Sequence, residues 1–105
     1  KTLNKKDVFL YKTERDELKE HKFNQVYKTE KNYSLEIDGH IYYCRSDQNY
    51  YVTNNYCLII DEKHKKEAVK ELVNSVKKHL NQQRTIILNQ LEKLNKKVEK
   101  WEKLS

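Results

Sequence analysis

The stretch that decides the fold is EKHKKEAVKELVNSVKKHLNQQRTIILNQLEKLNKKVEKWEKL, residues 62–104, which contains neither glycine nor proline. Its apolar residues recur three or four positions apart, the spacing of one face of an amphipathic helix. At 100° per residue they stay within a band about 80° wide over the whole span. The sequence therefore predicts one long helix with an apolar seam, which consists of Val69, Val73, Val76, Leu80, Ile87, Leu91, Leu94, Val98 and Trp101.

This helix is predicted to need a partner. It would be about 63 Å long at 1.5 Å per residue, whereas a compact 105-residue protein is about 35 Å across. Left in water, the five apolar side chains of its C-terminal half would forgo about 8–15 kcal/mol of burial free energy. We therefore expect a homo-oligomer, most simply a dimer, with a tetramer or a different protein partner as alternatives. The expected interface, called the distal seam below, is Ile87, Leu91, Leu94, Val98 and Trp101.

A competing interpretation breaks the helix at residues 81–84, Asn-Gln-Gln-Arg. Thr85 would then cap a second helix that folds back as an antiparallel hairpin. The apolar seam runs through this stretch with Gln83 as its only polar member. The spacing there has an extra step of four residues, as in a coiled-coil stutter, which relaxes the left-handed supercoiling. Continuity of the seam favours a single helix.

Upstream of residue 62 the period changes to two, which is typical of half-buried strands. Residues 33–37 alternate apolar and polar side chains, and Asp38-Gly39 follows as a pair suited to a two-residue hairpin turn. In that register Leu35 pairs with Tyr42 and Tyr33 pairs with Cys44. The residues expected to face the core are Tyr33, Leu35, Ile37, Tyr42 and Cys44.

A second hairpin is predicted for residues 50–61, with Asn54-Asn55 at its tip, because asparagine tolerates left-handed backbone geometry. Both of its faces are apolar. One side of this sheet should therefore meet a helix, a second subunit or a target in addition to the core.

The N-terminal segment is expected to form a strand at residues 7–12 and then a short helix capped by Thr13. A continuous helix over residues 4–22 is the alternative. Together these elements predict an α+β fold, in which a small antiparallel sheet of hairpins precedes one long coiled-coil-like helix. The predicted domains are residues 1–61, β-rich with a short N-terminal helix, and residues 62–105, a helix used for assembly.

Charge is concentrated in the C-terminal part. The chain carries a formal charge of +6, and residues 1–61 are balanced, with ten basic and ten acidic residues. A basic helix is typical of proteins that bind nucleic acid or another polyanion. The side chains predicted to share a basic stripe beside the apolar seam are Lys63, Lys66, Lys70, Lys77 and Arg84.

Tyrosine is concentrated in the hairpins, where six of the chain's eight tyrosines fall within residues 33–56. A small sheet cannot bury all of them, and tyrosine is frequent at protein interfaces. We expect a partner-binding surface at Tyr43, Tyr51 and Tyr56.

No pattern indicates catalysis. Phosphate-binding loops require more than one glycine, and this chain has one. Its four histidines lack the spacing of metal ligands. Cys44 and Cys57 lie in strand-like runs, so we expect buried free thiols. We expect a non-enzymatic protein without cofactor or metal. The absence of a leader or an apolar span in these residues predicts a soluble cytoplasmic protein with no membrane partner.

Residues 33–105 resemble the small accessory proteins of phages and mobile elements in low-GC bacteria, with hairpins such as YSLEIDGHIYYCRS and YYVTNNYCLIID before a lysine-rich helix. Many proteins of that group are inhibitors of host factors, including anti-CRISPR and other anti-defence proteins. The resemblance implies an oligomeric inhibitor that binds a host macromolecule or a small ligand, in a bacterial or phage-infected cell. A nucleic-acid-binding regulator that uses the basic stripe is the second hypothesis, and a structural coiled-coil assembly subunit is the third.

Overall fold

The computed structural model describes residues 2–104, which form two antiparallel four-stranded sheets and one long helix. The α+β class predicted from the sequence is therefore confirmed. The strands are β1 (Thr2–Asn4), β2 (Val8–Glu14), β3 (Glu17–Phe23), β4 (Val26–Lys28), β5 (Asn32–Ile37), β6 (His40–Arg45), β7 (Tyr50–Val52) and β8 (Tyr56–Ile59). The first sheet has the strand order β1-β4-β5-β6, and the second sheet has the order β3-β2-β8-β7.

Both predicted hairpins are present in the predicted register. In the β5–β6 hairpin Leu35 pairs with Tyr42 and Tyr33 with Cys44, and the turn residues Asp38 and Gly39 have φ of 50° and 81°. In the β7–β8 hairpin Val52 pairs with Cys57 around the Asn-Asn tip. Turn chemistry at these two tips was therefore sufficient to set the strand register.

The predicted N-terminal helix is wrong, and so is its longer alternative over residues 4–22. Strands β2 and β3 form a third hairpin, in which Leu10 pairs with His21 and the turn residues Arg15 and Asp16 have φ of 51° and 64°. Val8, Phe9 and Leu10 are all buried. A strand buried on both faces reads as a continuous apolar run and shows no period-two signal.

One hydrophobic core joins the two sheets. Its buried residues come from five strands and the segment after β8, and the half-buried rings of Tyr33, Tyr42 and Tyr56 pack against it. Leu35 and Cys44 lie in this core, as the hairpin register predicted, with Ile37 half-buried beside them. The buried members are Val8, Leu10, Val26, Leu35, Cys44, Leu58 and Ile60.

The opposite face of the second sheet is covered by the start of the helix. A 3₁₀ turn (Glu62–His64) leads into α1 (Lys65–Leu104), where Ala68 and Leu72 are fully buried. The Lys65 Nζ lies 4.4 Å from the Phe9 ring centroid and 3.2 Å from a Glu20 carboxylate oxygen. Of the three covers expected for this face, the helix is the one observed.

The helix is continuous through residues 81–84, so the predicted single helix is confirmed, and the competing interpretation of a break and a helical hairpin is wrong. Two compact units are distinguished along the chain, Lys1–Ser75 and Val76–Ser105. The boundary between these two units falls within α1. Among residues 2–104 no helix has the length and apolar character needed to cross a membrane.

Candidate functional site

The three tyrosines predicted to bind a partner line one groove of the first unit. Tyr43 lies on β6, Tyr51 on β7 and Tyr56 at the start of β8, around a cavity of about 280 Å³. Asn32, Cys44, Arg45 and Thr53 complete the lining. We call this cavity the tyrosine groove.

The tyrosines of the groove differ in exposure. Tyr43 and Tyr51 are 45% and 39% exposed, whereas Tyr56 is half-buried against the core. The Tyr56 ring meets the Tyr42 ring edge-on at 4.9 Å, and its hydroxyl accepts a hydrogen bond from the Tyr43 backbone N–H at 3.4 Å. Burial raises the pKa of the Tyr56 hydroxyl. Tyr56 thus forms the fixed floor of the groove, and Tyr43 and Tyr51 provide the accessible contact area.

The distal seam is exposed over its whole length in the second unit. Ile87 is 62% exposed and Trp101 is 72% exposed, and no other part of residues 76–104 covers them. Leu91, Leu94 and Val98 are about half exposed. A single helix cannot shield its own apolar face, so this surface is exposed within residues 76–104.

The side chains of the predicted basic stripe are all exposed. Lys63 belongs to the 3₁₀ turn, Lys66 and Lys70 to the first turns of α1, and Lys77 and Arg84 to the second unit. Within residues 2–104 none of the five forms an ion pair. Their charges are therefore not neutralised by an acidic side chain among the described residues.

A second groove of the first unit was not predicted from the sequence. It has a volume of about 530 Å³ and lies between β7 and the start of the helix. The only sequence signal was the pair of carboxylates at Glu67 and Glu71, one helical turn apart. We call it the acidic groove; it is lined by Asp47, Gln48, Asn49, Tyr50, Tyr51, Val52, His64, Glu67 and Glu71.

Hydrogen bonds connect the two walls of the acidic groove. The Tyr50 hydroxyl donates to Glu71 Oε1 at 2.9 Å, and this bond to a carboxylate raises the pKa of Tyr50 to about 12. The His64 ring lies 3.2 Å from the Asn49 side-chain nitrogen and 3.4 Å from Glu67 Oε2. The groove therefore has defined walls, in which Glu71 accepts a hydrogen bond from the opposite side.

Both cysteines are buried free thiols, as expected. Burial raises the pKa of Cys44 to about 11 and that of Cys57 to about 12. Neither thiol has the lowered pKa of a nucleophilic cysteine. In the described part of the chain no group of three or more His, Cys, Asp or Glu side chains is arranged to hold a metal ion.

Known proteins add no functional information to these surfaces. Comparisons of the chain with models of protein families, with curated proteins and with solved structures found no match. The exposure, geometry and charge of the surfaces described above are therefore the basis for function.

Proposed function

We propose that this protein is a non-enzymatic homo-oligomer that binds a partner protein. The helix would assemble the subunits through the distal seam, most simply as a dimer, and the tyrosine groove would hold the partner. The observation that carries the proposal is the exposure of Ile87, Leu91, Leu94, Val98 and Trp101 along one face of the helix.

The tyrosine groove supports the binding half of the proposal. Tyrosine provides a large contact area and loses little conformational entropy, because it has only two side-chain torsions. Tyr43 and Tyr51 expose this area beside the guanidinium of Arg45. The resemblance described above leads us to propose that binding inhibits a host factor or a defence system, in the cytoplasm of a bacterial or phage-infected cell.

The test is capture of a partner from a host lysate by the wild type and by Tyr43→Ala/Tyr51→Ala. Tyr27→Ala is the matched control, because Tyr27 is also exposed but lies on β4, outside the groove. We expect the double variant to lose the partner while its oligomeric mass is unchanged. Retention of every partner by the double variant would contradict the tyrosine groove and leave a purely structural coiled-coil subunit as the better hypothesis.

A nucleic-acid-binding regulator is the second candidate, and the unpaired exposed lysines support it. Each phosphate neutralised by a lysine releases counterions, so binding would weaken steeply as salt rises. We would then expect Lys63→Glu/Lys70→Glu/Lys77→Glu to abolish a low-salt shift of labelled DNA or RNA. The matched control is Lys93→Glu/Lys97→Glu/Lys100→Glu, which reverses three charges outside the stripe. The absence of any shift at low salt would exclude this candidate.

A further inference from the structure

Strand β7 forms one edge of the second sheet and has an open side. The Thr53 N–H donates to the Tyr56 carbonyl and the Ile60 N–H donates to the Asn49 carbonyl, both at 2.8 Å. Hydrogen-bonded pairs alternate along an antiparallel ladder, so Tyr51 bonds to β8 and its two neighbours point away from it. The backbone N–H and C=O groups of Tyr50 and Val52 are therefore directed outward, and within residues 2–104 they have no partner.

The acidic groove lies along this open edge. Tyr50 and Val52 contribute to one wall, and Glu67 and Glu71 from the start of the helix contribute to the other. Unpaired groups of an edge strand are a template for an added strand, because each N–H and C=O can bond to a second extended backbone. The groove provides the volume for such a chain beside β7.

The charge of the groove determines which chain fits. Its described lining contains three carboxylates and neither lysine nor arginine, although the protein as a whole carries +6. Arg45 pairs with Asp47 at 3.1 Å, but Glu71 accepts from the neutral Tyr50 hydroxyl and has no cationic partner among the described residues. A cationic side chain would complement this carboxylate.

We propose that the acidic groove binds an extended segment of a partner protein that adds to the edge of β7 and carries lysine or arginine at alternate positions. Residues opposite Tyr50 and Val52 would point to the same side of the sheet as these two, which is the helix side, where Glu67 and Glu71 lie. The residue between them would point to the other side, towards Tyr51. This site is separate from the tyrosine groove, although Tyr51 borders both, and its failure would leave the proposed function unaffected.

The charge requirement is tested with the fluorescent peptide acetyl-Lys-Val-Lys-Val-Lys-amide and its Glu-for-Lys counterpart. We expect only the basic peptide to bind, and Glu67→Gln/Glu71→Gln to weaken its binding by about tenfold at low salt. Glu92→Gln/Glu99→Gln removes two charges from the distal part of the helix and should leave binding unchanged. Equal effects of the two double variants would overturn the proposal.

The backbone requirement is tested with the same peptide carrying an N-methyl group on its central residues, which blocks strand pairing without removing charge. Amide resonances of Tyr50 and Val52 should shift on addition of the unmodified peptide and not on addition of the methylated one. This readout needs no substitution in the protein, so it does not depend on the folding of a variant. Equal binding of both peptides, or shifts that omit Tyr50 and Val52, would overturn the proposal.

Discussion

The two units of this protein differ in how far their aliphatic side chains are exposed. In the first unit the aliphatic side chains of Val8, Leu10 and Leu58 are completely buried, whereas in the second unit Ile87 and Leu94 are more than half exposed. The difference lies in what each secondary structure needs. Strands require partners distant in sequence to complete their hydrogen bonds, and pairing them assembles a core. A helix completes its backbone bonds locally and leaves its apolar face uncovered.

The comparison teaches that the first unit buries its apolar side chains within its own chain, whereas the second unit leaves them exposed. Burying the distal seam would contribute about 8–15 kcal/mol, estimated at about 1.5–3 kcal/mol for each of five side chains. In proteins most of the stability of a helix comes from packing of its apolar face, and within residues 76–104 that face is exposed. The second unit is therefore expected to draw its stability from association.

The largest effect is expected from Leu91→Asp/Leu94→Asp, which places two charges in the distal seam. A buried unpaired charge is strongly unfavourable, so the oligomer should dissociate to monomers and the helix of the second unit should lose helicity. Light scattering and circular dichroism measure the two changes.

The matched control for that variant is Gln82→Asp/Asn89→Asp, which adds the same charge on the opposite face of the helix. It should keep the mass and helicity of the wild type. If both double variants behave alike, the seam is not an interface and the contrast between the units disappears.

A second prediction sharpens the comparison by removing equal volumes from each unit. Leu10→Ala truncates a fully buried side chain and should lower the free energy of unfolding by about 2–5 kcal/mol. Leu88→Ala truncates a side chain that is 55% exposed and lies outside the seam, and it should change stability by less than about 0.5 kcal/mol. Urea denaturation gives both values, and similar losses would show that the second unit has a core of its own.

Alkaline pH should destabilise the first unit specifically. The folded pKa values of Cys44 and Cys57, about 11 and about 12, lie above the ordinary 9.0. Below pH 9 both thiols are neutral in either state and stability is complete. Between pH 9 and 11 only the unfolded thiols ionise, so stability falls by about 1.4 kcal/mol per pH unit for each thiol.

The raised pKa of Tyr50 acts in the same direction. Denaturation at several pH values should show this slope, and Cys57→Ala should reduce it. A stability that is independent of pH from 9 to 11 would contradict the burial of the thiols.

The smallest effects are expected at the turns. Asp16 has φ of 64° without being glycine, so Asp16→Gly should relieve backbone strain and stabilise the protein by about 1 kcal/mol. Gly39→Ala should destabilise the protein by a similar amount. The cause would be backbone strain at a φ of 81° and not a steric clash, since an added Cβ would meet no atom within 4 Å. Thermal denaturation measures both, and shifts of the opposite sign would contradict the turn assignments.

The sequence predicted those elements whose signal is local. Asp38-Gly39 and Asn54-Asn55 are residue pairs typical of tight turns, so both hairpins were predicted with the observed strand register. The long seam has the helical period, so the single helix was predicted as well. The third hairpin was missed because its turn, Arg15-Asp16, contains no glycine or asparagine. Strand β2 added to the error, because burial of both its faces removes the alternation that identifies a strand.

The candidate site was predicted in part for a similar reason. Tyr43, Tyr51 and Tyr56 could be grouped because they fall in adjacent hairpins, and the structure brings them to one groove. The acidic groove could not be predicted, because Asp47 and Glu71 come to line one cavity only when the helix packs on the second sheet. Such a site depends on packing between distant segments, which a periodic pattern does not report.

The central claim is that the distal seam is covered by a second copy of this chain. Sedimentation equilibrium of the wild-type chain at micromolar concentration tests it most directly. The account predicts a species of at least twice the chain mass of 12.8 kDa. A single species of 12.8 kDa with the helix intact would contradict it.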